Sequence, residues 1–164
     1  MSASALPSVG LLTVVLRSFV PQDAPKVHAM SQESGLRRVP GSPVSAPYVL
    51  AVCLRGSSEL IGHVGLSPLY GEVEVGYAIE EKHQGRGFAS EAVGTMVNCA
   101  LQRFDLPRVL GIVGKDNAAS CRVLENAGFA LTSEAMGSLH GRPGLIRTYD
   151  RARRVGAVNE CDPA

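Results

Sequence analysis

Glu72-Val73-Glu74-Val75-Gly76-Tyr77-Ala78-Ile79, running on into Gln84-Gly85-Arg86-Gly87-Phe88-Ala89, is the stretch whose reading decides the fold. In its first part Val73, Val75, Tyr77 and Ile79 alternate with Glu72, Glu74, Gly76 and Ala78, the period of two of a strand. Past the glycines the period changes. Ala89, Ala92, Val93, Met96, Val97, Ala100, Leu101 and Phe104 fall on one face of a helix, with Glu91, Asn98, Gln102 and Arg103 elsewhere. A strand therefore feeds a helix through Gly85 and Gly87.

The start of a helix leaves backbone N–H groups without partners, and the helix dipole adds about half a positive charge there. Glycine lets an anion reach those donors without meeting a Cβ, so the segment suits a phosphate, with Arg86 and Lys82 as nearby cations. A tight turn that uses glycine only for backbone freedom explains the same residues, and the segment alone leaves both readings open. A P-loop is excluded, because no Lys-Ser or Lys-Thr follows. A dinucleotide fingerprint fails at Ser90, where a third glycine belongs, and several strands precede it instead of none.

Upstream, Leu11 to Phe19 has strand character, and Asp23 is placed to cap a short helix through Met30. Ser31 to Pro47 reads as a loop. Tyr48 to Arg55 and Leu60 to Leu66 form a hairpin around Gly56-Ser57-Ser58. Downstream, Val109 to Val113 is a short buried-type strand. Asp116 or Asn117 caps a second helix with an apolar stripe of Ala119, Val123, Leu124 and Ala127, ended by Gly128. Phe129 to Met136 and Leu145 to Arg151 close the fold around a loop from Gly137 to Gly144. The expectation is one α+β domain over residues 1–164, with 155–164 a frayed tail.

Bulk properties narrow the function. The chain has 164 residues, enough for one substantial core, and a formal net charge of +1, which excludes a bulk nucleic-acid binder. It has no Trp and few aromatics on which bases could stack. Cys53, Cys99, Cys121 and Cys161 lie far apart, without CxxC pairs or histidines at ligand spacing, so they read as free thiols and no metal is expected. The apolar run Val9 to Leu16 is too short to span a bilayer and has no basic residue before it, so no membrane association is expected and the cytoplasm is the expected location.

The segment Gln84-Gly85-Arg86-Gly87-Phe88-Ala89 matches the [RQ]xxGx[GA] motif, and with it the chain resembles the GNAT superfamily of N-acetyltransferases. Glu74 to Ile79, Gly87 to Ala92 and the run Asp116-Asn117-Ala118-Ala119-Ser120-Cys121-Arg122-Val123-Leu124-Glu125-Asn126-Ala127-Gly128-Phe129 resemble its RimJ/RimL-type branch, whose named members acetylate protein N-termini. The resemblance implies a mixed, mostly antiparallel sheet splayed into a V and flanked by helices. It implies acetyl-CoA as co-substrate and an amine acceptor, and pairing of two copies as a homodimer. The pantetheine arm would bond backbone groups of Tyr77, Ala78 and Ile79. The pyrophosphate would rest on the amides of Gln84, Gly85, Arg86, Gly87, Phe88 and Ala89. Asn117 corresponds to a position that bonds the cofactor, and also suits a helix cap. Arg122 reads more simply as an exposed helix arginine than as a ligand of the 3′-phosphate.

Forming an amide from a thioester needs a neutral amine and a proton for the departing thiolate, and aliphatic amines are mostly protonated near neutrality. Glu74 is the candidate base, with Glu72 on the same face; a solvent-facing carboxylate is the plain alternative. The family's frequent second-helix tyrosine is replaced by Leu124. Ser120, one turn after Asn117, corresponds by the resemblance to a serine of the RimJ/RimL-type branch near the thiol, which implies a hydroxyl that donates to sulfur or orders a water. His63 reads as structural. Ser31 to Pro47 is shorter than the branch's usual connector, and its prolines and glycines oppose a helix. A shallow acceptor site beside Arg37 and Arg38 and a plain connector are equal readings of it. The function expected is acetyl transfer to a primary amine, either a protein α-amine or a small amine. Alternatives are a non-catalytic acyl-CoA sensor and a transferase of longer acyl groups.

Overall fold

The computed structural model describes residues 13–34 and 48–154. In chain order they form β1 (Val14–Arg17), a 3-10 turn (Pro21–Asp23), α1 (Ala24–Ser34), β2 (Tyr48–Leu54), β3 (Leu60–Leu69) and β4 (Glu72–Ile79). A second 3-10 turn (Glu81–His83) leads to α2 (Phe88–Arg103), β5 (Arg108–Gly114), α3 (Ala118–Asn126), β6 (Ala130–Leu139) and β7 (Arg142–Ala152). The seven strands make one sheet in the order β1-β2-β3-β4-β5-β7-β6. Every neighbouring pair is antiparallel except β4 and β5, which run parallel.

The α2 stripe does what its period requires. Ala92, Val93, Met96, Val97, Ala100 and Leu101 are buried against Val52, Ile61, Val64 and Val75 of the sheet. Phe104 departs from the expected stripe: it lies past the last turn, half exposed, and meets Tyr48 edge-on at 5.7 Å. On α3, Cys121 takes the buried place expected of Ala119, which is exposed, while Leu124 is fully buried. Gly111 of β5 makes that seat, since a Cβ there would come within 2.7 Å of both Leu124 methyl groups. On the opposite face, Met30 of α1 packs with Ala51, Cys53 and Leu60.

Several sequence expectations change at their edges. Among the described residues the first strand is Val14–Arg17, Leu11 and Leu12 lying outside them, and α1 runs on to Ser34, beyond the expected start of the loop. The remainder of that loop, with Arg37 and Arg38, lies outside the described residues, as does the tail from residue 155. Asp23 does not cap α1. Its carboxylate accepts both Arg17 nitrogens at 2.7 and 2.8 Å and the Val20 amide at 2.9 Å. The expected loop from Gly137 to Gly144 is a tight turn at His140-Gly141, both at positive φ, and the strands continue through the rest. Cys53 and Cys121 are free and buried, but Cys99 is disulfide-bonded, not a free thiol. None of the helices among the described residues is long and apolar enough to cross a membrane.

Candidate active site

β4 and β5 pair only at Glu74 and Leu110. Beyond that point the two strands part towards Ile79 and Gly114, and the sheet opens as a V. On the far side of β4 the ladder to β3 is regular, with Gly62 opposite Ile79, and the Glu80 amide donates to the Ile61 carbonyl at 2.8 Å. Hydrogen-bonded and non-bonded pairs alternate in an antiparallel ladder. Gly76 and Ala78 therefore spend their backbone groups on β3, whereas Tyr77 and Ile79 turn theirs into the V. This corrects the expected trio: Ala78 is committed to β3, and the Ile79 carbonyl already accepts the Gln84 side chain at 2.9 Å.

The glycine segment sits at the open end. The Gln84 amide donates to Glu81 at 3.1 Å, so Gln84 holds the turn and offers no free backbone donor. Gly85 and Gly87 have φ of +74° and +83°, left-handed values that glycine adopts without strain. The first α2 bond runs from the Glu91 amide to Gly87 at 3.1 Å. Among the described residues, the amides from Gly85 to Ser90 are thus left without a backbone acceptor. A Cβ on either glycine would meet nothing within 4 Å, so the backbone here is not hemmed in on that side. Arg86 is exposed beside them and makes no ion pair among the described residues. Lys82 turns elsewhere, to Glu59 at 3.2 Å and Glu80 at 3.6 Å. Glu59, Glu80 and His83 bring ligand-type atoms within 4.8 Å of one another, but Lys82 and Lys26, the latter 2.8 Å from Glu80, already supply cations there.

Across the V stands the first turn of α3. Asn117 caps it, its Oδ1 accepting the Ser120 amide at 3.1 Å. The Tyr77 hydroxyl reaches over from β4 and donates to the Ser120 carbonyl at 3.2 Å. Arg122 is exposed.

Residues 41–130 match the family model of the acetyltransferase (GNAT) domain. The chain belongs to the GNAT acetyltransferase family. It is 37% identical over 98 residues to the uncharacterized N-acetyltransferase YoaA of Bacillus subtilis, covering 58% of this chain and 49% of that one. It is 34% identical over 76 residues to the ribosomal-protein-serine acetyltransferase of Escherichia coli, covering 44% of this chain and 42% of that one, a relative of the RimJ/RimL-type branch. The GNAT-family acetyltransferase of Bacillus anthracis shares the fold with a TM-score of 0.72 at 20% identity, over 85% of this chain and 95% of that one. The chain spans about half the length of the curated relatives it matches.

At the neck of the GNAT domain the two candidate carboxylates part company. Glu72 is taken: Arg108 donates to it at 2.6 and 3.2 Å and to Asp150 at 3.3 Å. The hydrogen bonds from Arg108 hold the Glu72 carboxyl below its usual range. The Glu74 side chain makes no hydrogen bond or ion pair among the described residues, and the residue is half-buried. Burial pushes its carboxyl above the usual range, with His140 of the β6–β7 turn pulling the other way. His63 lines a cavity of about 50 Å³ with Met30, Ala78 and Gln84. Burial lowers its pKa, which suits the structural reading.

Sequence reasoning missed Arg108 and the Tyr77 side chain. Arg108 and Glu72 are joined only by the parallel pairing, which no local pattern encodes. The signal for Tyr77 was present: its phase in β4 places it on the helix face with Val75 and Ile79.

Proposed function

We propose that this GNAT domain moves an acetyl group from acetyl-CoA to a primary amine, by direct transfer in a ternary complex. One observation carries the reading: an unpaired β4 edge inside the V leads straight to a set of unpartnered amides at an open helix start. Such donors suit a pyrophosphate, which would rest on Gly85, Arg86, Gly87, Phe88 and Ala89 with the Arg86 guanidinium alongside. Tyr77 and the Ile79 amide would hold the pantetheine arm, and the Asn117 side-chain nitrogen, which the cap leaves over, would face it from α3. Acetyl-CoA brings the activated thioester.

Glu74 would take the proton of the attacking amine, directly or through one water. Burial raises its pKa, which makes it a stronger base than an ordinary carboxylate. Glu72 is excluded from that role by Arg108. The Ser120 hydroxyl would hydrogen-bond to the sulfur or order a water there.

The acceptor is a protein α-amine or a small amine. The likeness to the E. coli ribosomal-protein-serine acetyltransferase supports the first. The deciding experiment measures acetyl-CoA affinity by calorimetry, then thiol release with peptide and small-amine panels, checked by product mass. Tight binding with no transfer would make the chain an acyl-CoA sensor, and a preference for longer donors would change the acyl group. Absence of binding would end the proposal.

A further inference from the structure

Breaking a thioester leaves a thiolate that needs a proton, and the helix side of the V offers few donors. Tyr149 is fully buried and its hydroxyl donates to Glu125 at 3.0 Å. The Cys121 thiol is buried and turned towards the Gly114 carbonyl at 3.9 Å. Leu124 is apolar and fully buried. Ser120 has an aliphatic hydroxyl, able to share a proton with sulfur but too weak an acid to surrender it.

Tyr77 is different. It stands on the stretch of β4 that β5 has left, and its side chain crosses the splay to α3. The bond it makes there is 3.2 Å, long for a hydroxyl donor, whose usual length is about 2.7–2.8 Å. A weak bond to a carbonyl on the rim holds the hydroxyl in place and releases it readily to a stronger acceptor.

We propose that Tyr77 is the general acid of the transfer, giving its phenolic proton to the departing sulfur. This rests on the acetyl-transfer reading above. As the acceptor nitrogen bonds the acetyl carbon, its proton passes towards Glu74. The carbon–sulfur bond breaks, its electron pair goes to sulfur, and sulfur takes the Tyr77 proton. The phenolate regains a proton from water and Glu74 returns one, so the enzyme ends unchanged. Ordinary thiol and phenol pKa values, about 8.5 and 10, are close enough for that exchange. Burial raises the Tyr77 pKa and keeps the phenol protonated near neutrality.

Tyr77→Phe keeps the ring and removes only the hydroxyl. With circular dichroism and acetyl-CoA affinity unchanged, its kcat should fall about 10²-fold. Ser120→Ala, which retains the carbonyl that Tyr77 bonds, should cost less. A second readout needs no turnover: the thiol of bound coenzyme A, followed by thiolate absorbance, should titrate at higher pH in Tyr77→Phe than in the wild type. A Tyr77→Phe enzyme within a few-fold of wild-type kcat and with an unshifted thiol titration overturns the proposal. A larger loss from Ser120→Ala than from Tyr77→Phe overturns it too and moves the role to the serine. A wild-type chain that acetylates no amine ends both readings, whereas a wild-type-like Tyr77→Phe ends this one alone.

Discussion

Arg108 grips Glu72 with hydrogen bonds of 2.6 and 3.2 Å, just behind the pairing of Glu74 with Leu110, the one position at which β4 and β5 pair. Its remaining nitrogen reaches Asp150 of β7 at 3.3 Å, so one guanidinium ties three strands at the neck of the V. A parallel pair held by so short a ladder has little else to fix its angle. Arg108→Met should therefore let the V vary in width and weaken acetyl-CoA binding several-fold, although no residue of the glycine segment is touched. The pH dependence has a definite sign. The Glu72 pKa is lowered in the folded state, so its contribution to stability is present above the ordinary carboxylate pKa and lost as pH falls through the lowered value. Melting curves of wild type and Arg108→Met should converge on acidification through that window. An unchanged acetyl-CoA Kd would mean the V keeps its shape without the clamp.

Gly87 carries φ of +83° at the mouth of α2, and a Cβ added there would meet nothing within 4 Å. Space is no obstacle to a side chain at this position; conformation is. Gly87→Ala should cost about 1–2 kcal/mol of stability for the left-handed backbone. Gly87→Val, held in the same conformation, would screen the amides of the helix start and abolish acetyl-CoA binding while leaving native circular dichroism. Calorimetry on that variant decides it, and wild-type affinity would remove the pyrophosphate from this loop.

The fold is legible in the sequence wherever a period of two or 3.6 runs long enough to be counted, as in β4 and α2. Legibility fails at ends. His140 takes φ of +52° in the β6–β7 turn, a position where sequence leads one to expect glycine or asparagine, so local pattern stops both strands short. That Cys121 and not Ala119 is buried is a fact of tertiary packing, the Cys121 sulfur lying 3.9 Å from the Gly114 carbonyl of β5. In the site, the motif marks the turn between β4 and α2 but not the division of labour within it. Gln84 spends its amide and side chain on the turn, and Ala78 faces β3, because ladder phase and side-chain capping are set by three-dimensional neighbours. The choice between Glu72 and Glu74 likewise depends on Arg108, which lies 36 positions from Glu72 in sequence.

Leu124 and Gly111 set the height of α3 above the sheet, and with it the position of Asn117 and Ser120. Leu124→Ala empties a fully buried site and should destabilise the domain by about 2–5 kcal/mol, read from urea unfolding. Gly111→Ala should act from the other side, pushing the Leu124 methyl groups that would lie 2.7 Å from the new Cβ. Its signature is a lower kcat at nearly native acetyl-CoA affinity, because α3 carries the residues nearest the proposed chemistry, whereas the proposed pyrophosphate loop leads into α2. Equal loss of both would mean the two helices move as one body.

Glu74 combines partial burial with a side chain that has no hydrogen-bonding partner among the described residues, which makes it costly for the fold and fits the proposed role as base. Its folded pKa is raised, so the folded state keeps its proton to higher pH than the unfolded chain does. Stability from this group is therefore greatest below the ordinary carboxylate pKa and declines as pH rises through the raised folded value. Glu74→Gln removes that decline, and at neutral pH the variant should melt slightly above the wild type. The same change should lower kcat by roughly 10²–10⁴-fold. It should also abolish the acidic limb of the pH–rate profile, whose midpoint in the wild type should lie above the usual carboxylate range. Opposite signs in stability and rate are what a desolvated base predicts and what a solvent-facing carboxylate does not. A Glu74→Gln enzyme with normal rate, normal pH profile and unaltered melting would leave the amine to be deprotonated by water alone.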